Sequence, residues 1–275
     1  MTLQILPALE QRSEEWYEQR RGMVTASGVG NLITMRKLGA IDFDCPDCTG
    51  VADGPCMSLR GDEPKPIKTM HPARAEYART QTSSTVIEPA SNDNSRSYTA
   101  LLAAERITGR THPSFINDDM IRGIDHEPIA RDHYANHIGQ EVTEIGFMKL
   151  ELDGIRLGCS PDGLVGDDGM CEIKCPRQHT HMQTVVSGGV PAEYIPQLQC
   201  ALLVSGRKWI DFVSFVGGMR LYVRRVYPDA KWQTAILAAV RKFEDAAQEM
   251  CRLYDEESAG MPMTDPVPDF EEIVI

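Results

Sequence analysis

Between residues 156 and 176 the chain reads RLGCSPDGLVGDDGMCEIKCP, and no other stretch constrains the fold as tightly. Two short runs rich in apolar residues flank an Asp-Asp-Gly turn, so the segment predicts a β-hairpin. Side chains alternate along a strand, so residues two apart share a face. Glu172 and Lys174 therefore project together, while Ile173 points the other way, into a core. Nine residues separate Asp162 from Glu172. Folding the hairpin back on itself sets Asp162 beside Glu172. Cys159, Cys171 and Cys175 flank the charged positions and read as small packing residues.

The elements around the hairpin follow from periodicity and punctuation. SEEWYEQR opens a helix with Ser13 as its cap and acids in the first turn, and Ser27 reads as the cap of a second helix. Residues 73 to 110 read as helix ending at Gly109, and MIRGIDHEPIARDHYANHIG as helix ending at Gly139. VTEIGFMKLEL and IRLGCS are strands joined by a turn at Asp153-Gly154. After the hairpin come helices at 178 to 187 and in AEYIPQLQCALLVSG. Two further strands, KWIDFVSFVGG and MRLYVRRVYP, lead into a long amphipathic helix at 230 to 254. This order predicts an α+β or α/β layered fold, one central mixed sheet flanked by helices. A single domain spans 1–255, followed by an acidic tail at 256–275. Residues 41–72, rich in Asp, Gly, Pro and Cys, read as an inserted loop. Within it Cys45 and Cys48 have zinc-like spacing, with Cys56 and His71 further on. The second Cys-x-x-Cys pair is missing, which favours an unliganded loop over a structural zinc site.

Composition bounds the setting. With 42% hydrophobic residues, 275 residues suffice for a substantial core. No apolar run reaches the ~18 residues of a membrane span. The start of the chain lacks a basic stretch followed by an apolar one, so no secretory signal is expected. The eight cysteines form no secreted framework and fit a reducing cytoplasm. The net charge of −12 argues at first against a nucleic-acid partner, but residues 244 to 275 alone carry ten acids against one base. A local basic channel elsewhere is therefore compatible with the total.

Two carboxylates held together repel, and a divalent cation relieves that repulsion. Hard oxygen ligands suit Mg²⁺ or Mn²⁺. An ammonium beside them can steady developing negative charge or orient an attacking water. This constellation is the one required for metal-assisted phosphodiester hydrolysis.

Pro-Asp, nine residues, then Glu-x-Lys resembles the PD-(D/E)xK nuclease signature, which implies a restriction-endonuclease-like core. EWYEQRRGMVTASGVGNLI, GIDHEPIARDHY, GCSPDGL, EIKCP and YIPQLQCALLVSG add to it in order, from about residue 13 to 255. Together they resemble the lambda exonuclease family, the YqaJ-like viral recombinases. The resemblance implies Glu127, Asp162 and Glu172 as carboxylate metal ligands, with the Ile173 carbonyl completing the shell. It implies Lys174 as the catalytic amine and Gln197 as a further active-site residue, while Gln199 reads as an exposed polar side chain. Arg20 and Ser27 match the family's 5′-phosphate site, with Arg21 an alternative to Arg20 and Thr25 an assistant. The implied activity is 5′→3′ digestion of one strand of linear double-stranded DNA to mononucleotides, leaving 3′ overhangs. It uses Mg²⁺, with Mn²⁺ an alternative and two ions per site. A homotrimeric ring around DNA with 5′-phosphorylated ends is implied, with a phage single-strand annealing protein as partner, in a bacterial or phage-infected cytoplasm. A site- or structure-specific endonuclease on the same core is the alternative. A non-catalytic DNA-binding scaffold is disfavoured by the intact set Glu127, Asp162, Glu172 and Lys174. The inserted segment has no counterpart in the family pattern. The acidic tail is a candidate docking element for the annealing partner, with mobility as its default.

Overall fold

A computed structural model describes residues 2–58, 60–61, 63–81, 85–111 and 117–266. In chain order the strands are β1 (Thr2–Leu6), β2 (Val24–Thr25), β3 (Ile33–Lys37), β4 (Thr85–Pro89), β5 (Val142–Thr143), β6 (Phe147–Leu152), β7 (Ile155–Cys159), β8 (Gly163–Val165), β9 (Gly169–Lys174), β10 (Trp209–Ser214) and β11 (Tyr222–Val226). The helices are α1 (Glu14–Arg20), α2 (Pro72–Thr80), α3 (Asp93–Thr108), α4 (Asp118–Ile138), α5 (Gln178–Ser187), α6 (Ile195–Ser205) and α7 (Ala230–Glu257). The chain divides into two compact units, residues 1–33 with 89–275, and residues 34–88.

The larger unit holds two mixed sheets where one central sheet is expected from sequence. The first runs β1-β6-β7-β2 and the second β11-β10-β9-β8-β5. Each contains one parallel pair, β2 with β7 and β9 with β10, among antiparallel neighbours. The division falls at Ser160-Pro161. Proline has no N–H to give to a ladder, so the chain leaves the first sheet after Cys159 and enters the second at Gly163. Asp162 sits at that crossing.

Helices α6 and α7 pack against the first sheet around Leu150, Leu157, Leu198, Leu202 and Phe243, all buried, and α3 packs against α7. A second cluster joins α4 to the β9–β10 pair through Ala130, Tyr134, Cys171, Ile173 and Val213. Ile173 thus faces the core as strand alternation requires, and Cys159 and Cys171 are buried packing residues. Ser13 accepts from the Trp16 N–H at the start of α1. Gly109 and Gly139 close α3 and α4 with φ of 65° each, the left-handed conformation that favours glycine.

Two local expectations give way. Ser27 caps no helix: the turn after it is a four-residue 3₁₀ segment, Val29–Leu32, with Gly28 in the cap position and no side-chain cap bond. The span 73 to 110 is not continuous helix either. β4, with the β-branched sequence Thr-Val-Ile, pairs with β3 between α2 and α3. Residues 34–88, which contain the 41–72 segment expected to be a loop, form a compact unit of their own with α2 and the β3–β4 pair. At the C-terminus α7 extends to Glu257, and the last part of the acidic tail, 267–275, lies outside the described residues. No helix among the described residues is long and apolar enough to cross a membrane.

Candidate active site

β8 and β9 pair antiparallel with Gly163 opposite Cys171, which carries Asp162 to the level of Glu172. The Asp162 N–H donates to the Cys171 carbonyl at 3.1 Å, and the Ile173 N–H donates to Asp162 Oδ2 at 2.6 Å. Glu172 and Lys174 emerge on one face of β9, and Lys174 Nζ donates to Glu172 Oε1 at 2.7 Å. Gln197, in the first turn of α6, donates to the same oxygen at 2.5 Å. The Lys174 ammonium also lies 5.3 Å from the Tyr194 ring centroid.

Glu127 comes from the middle of α4, just before Pro128. That proline removes the N–H that would bond the Ile124 carbonyl within the helix. Arg131, one turn on, donates to Glu127 Oε1 at 2.6 Å and through its Nε to the Asp162 carbonyl at 2.8 Å. Arg131 also bonds Glu144, and Arg12 lies 3.6 Å from Glu127 Oε2. Glu127, Asp162, Glu172, Ile173, Lys174 and Tyr194 all line one cavity of about 840 Å³. A neighbouring cavity of about 420 Å³ shares Glu127, Asp162, Arg12 and Ile124.

Burial pushes the Asp162 carboxyl well above the usual carboxylate range, and the nearby charges of Glu172 and Glu127 push it further. Glu127 is also raised. Burial is the main cause, Arg131 and Arg12 oppose it, and Glu172 adds to it. Burial alone would lower Lys174, but the Glu172 and Asp162 carboxylates outweigh it and hold the ammonium above its usual value. With both carboxylates facing it, Lys174 is therefore a charged donor at neutral pH.

The donor set fits a hard divalent cation. It consists of carboxylate oxygens, with Glu172 and Glu127 raising the proton affinity of Asp162, and among the described residues Asp162 makes no direct ion pair. The three acids do not close into a shared shell on their own. Among the described residues only one side-chain group brings three or more ligand atoms within 4.8 Å of one another, and it lies in residues 34–88. Glu127 is turned to Arg131 and Arg12 instead.

The model of the YqaJ-like viral recombinase domain matches residues 71–208, half of the chain. This span takes in Glu127, Asp162, Glu172, Lys174 and Gln197. The chain belongs to the YqaJ-like viral recombinase family. Among solved structures, the fold is similar to an alkaline exonuclease from Laribacter hongkongensis, with a TM-score of 0.63 and 27% identity over 91% of this chain and 100% of that one. A second structure of that exonuclease, in complex with dAMP, matches with the same figures. A phage-related exonuclease from Haemophilus somnus 129PT is more distant, with a TM-score of 0.42 and 16% identity over 58% of this chain and 85% of that one. No curated protein matches the chain.

In this YqaJ-like protein the Arg20 guanidinium stacks on Trp16, 3.8 Å from the ring centroid. It also reaches the hydroxyls of Thr25 at 3.5 Å and Ser27 at 3.4 Å. Burial lowers Arg20 to about 10, which leaves it charged at neutral pH. A small cavity of about 30 Å³ has Arg20, Thr25, Ser27, Glu172 and Gln197 in its lining. Arg21 turns away from it, toward Glu14 at 3.3 Å, so Arg20 is the residue placed at this cavity.

Three residues at the site were not singled out from sequence. Arg131 stands one helical turn after Glu127, a spacing that could have revealed it. Arg12 and Tyr194 come from distant segments, and no local pattern marks them. Gln199 is a correction: it is buried, not exposed. Its amide donates to the Tyr227 carbonyl at 2.9 Å and its carbonyl accepts from the Asp229 N–H at 2.9 Å, tying α6 to the start of α7.

Proposed function

We propose that this protein is a metal-dependent exonuclease that digests one strand of linear duplex DNA from the 5′ end, releasing mononucleotides and leaving 3′ overhangs. One observation carries the reading. Glu172 belongs both to the large cavity holding Asp162, Glu127 and Lys174 and to the small cavity holding Arg20 and Ser27. An anion held by Arg20 and Ser27 therefore lies next to the carboxylates. A terminal 5′-phosphate seated there presents the adjacent phosphodiester to the acids and Lys174.

Asp162, Glu172 and Glu127, with the Ile173 carbonyl, are the residues to hold Mg²⁺ or Mn²⁺. When bound, such an ion activates water and stabilises the leaving oxygen, and two ions can divide these tasks. The remaining roles belong to the chain. Gln197 fixes the Glu172 carboxylate. The Lys174 ammonium neutralises charge that develops on the scissile phosphate. The Arg20 guanidinium offers charge-assisted bonds to the terminal phosphate, with its plane steadied on Trp16. Arg12, Arg122 and Arg177 line the large cavity, where Arg12 pairs with Glu127 and the other two with Asp119. The Laribacter relative is an exonuclease captured with a deoxynucleoside monophosphate, which supports mononucleotides as the product. The family's description supports a role in viral recombination, and the ring-shaped homotrimer and single-strand annealing partner that the resemblance implies are part of the same proposal.

The test compares linear duplex bearing 5′-phosphates with a covalently closed circle, each with Mg²⁺ and with EDTA. Loss of mononucleotides from the linear substrate alone, dependent on Mg²⁺, is the expected result. Nicking of the circle would favour the endonuclease reading. No hydrolysis of either substrate with any divalent ion would leave only DNA binding.

A further inference from the structure

We propose that residues 34–88 are organised by a structural zinc ion bound by Cys45, Cys48, Cys56 and His71. The ligand atoms of these four side chains all lie within 4.8 Å of one another, and Cys45 Sγ is 3.4 Å from His71 Nδ1. With zinc–sulfur bonds of about 2.3 Å and zinc–nitrogen bonds of about 2.0 Å, a tetrahedral centre places its ligands roughly 3.5–3.8 Å apart. The observed spacing needs only small adjustments to reach that. Three thiols also form an odd set, so disulfide pairing would leave one over, and no cysteine of the chain is in a disulfide.

The surroundings are arranged for thiolates. The Gly50 and Met57 N–H groups donate to Cys48 Sγ at 3.4 and 3.2 Å, and the His71 N–H donates to Cys56 Sγ at 3.4 Å. A Cβ on Gly50 would meet the Pro55 carbonyl oxygen at 2.6 Å, so this knuckle accepts only glycine without rearrangement. Hydrogen bonds of this kind orient and stabilise metal-bound sulfur.

Two independent observations ask for an ion here. Arg74 is fully buried, with its guanidinium bonded to the carbonyls of Phe43, Gly54, Ile41 and Val51 and, at 3.6 Å, to Cys56 Sγ. No carboxylate pairs with it among the described residues. A buried cation is costly unless an anion offsets it. Zinc with three thiolates and a neutral imidazole carries one net negative charge, which Arg74 would balance. The second observation is the lack of a core. Among the described residues of this 55-residue unit, those that are buried are Cys45, Gly50, Cys56 and Arg74. A unit of this size without a hydrophobic core needs a staple such as a metal. α2 supplies the geometry, since it begins immediately after His71 and carries Arg74 in its first turn.

The test uses the full-length protein, purified without added zinc and dialysed against EDTA to clear weakly held ions from carboxylates. Metal analysis should find one zinc per chain in the wild type and equally in Glu172→Ala, and loss of that zinc in Cys48→Ser and His71→Ala. Because those variants can misfold, wild-type protein is also reconstituted with Co²⁺ in place of zinc. The expected spectrum is that of tetrahedral cobalt with thiolate-to-metal charge transfer. Wild-type protein without zinc and without that spectrum overturns the proposal, as does zinc retained at one per chain in the Cys48 and His71 variants.

Discussion

Lys174→Met separates binding of the metal from its use. The substitution keeps an unbranched apolar stem as far as Cε and removes the ammonium, which donates to Glu172 Oε1 at 2.7 Å. Glu172 is left with the Gln197 amide on that oxygen, so the carboxylate stays in place. What is lost is a charged donor, with only 26% of its side chain exposed, aimed into the cavity where the phosphate must sit. Removing one donor of this kind costs roughly 10²- to 10³-fold in kcat, about 2.7–4 kcal/mol of transition-state stabilisation. Metal affinity should not fall, because the ammonium competes with a cation for the same carboxylates. Single-turnover digestion of 5′-phosphorylated duplex reports the chemical step, and calorimetric titration with Mg²⁺ reports binding. Wild-type cleavage rates in the variant would refute the assignment. Loss of cleavage in parallel with loss of Mg²⁺ binding would refute it too, since it would make Lys174 a support for the ligands.

Arg20→Ala should reduce the preference for 5′-phosphorylated over 5′-hydroxyl ends while leaving the acids of the large cavity in place, measured as the ratio of kcat/KM on the two substrates. Asp162 and Glu127 bind protons more tightly in the folded chain than in the unfolded one. Their stabilising contribution is therefore present below the ordinary carboxylate range and is lost as pH rises through their raised values. Thermal unfolding without divalent ions should show a Tm that falls over that interval, and added Mg²⁺ should stabilise more at high pH than at low. A Tm that instead climbs across the interval would contradict the direction of both shifts. Arg106→Met should destabilise the larger unit by roughly 3 kcal/mol in urea unfolding. It leaves Glu244, whose side chain is 7% exposed, without the guanidinium 2.8 Å away.

What the sequence by itself determined follows from short-range geometry. Alternation along a strand placed Glu172 and Lys174 on one face and Ile173 in the core, and the Asp-Asp-Gly turn brought Asp162 level with them. Capping and glycine stops marked the ends of α1, α3 and α4. These features depend on a few neighbouring residues and a fixed backbone period. Tertiary structure decided the rest, because it depends on contacts between segments far apart in the chain. It split the expected single sheet in two at Pro161 and turned Glu127 toward Arg131 and Arg12. It buried Gln199 between two helices and set Arg20 and Ser27 on a cavity that shares Glu172. It also drew Cys45, Cys48, Cys56 and His71 together across 26 residues of sequence. The spacing of those four residues gives no complete zinc pattern, and only closure of the chain around Arg74 brings them to one point.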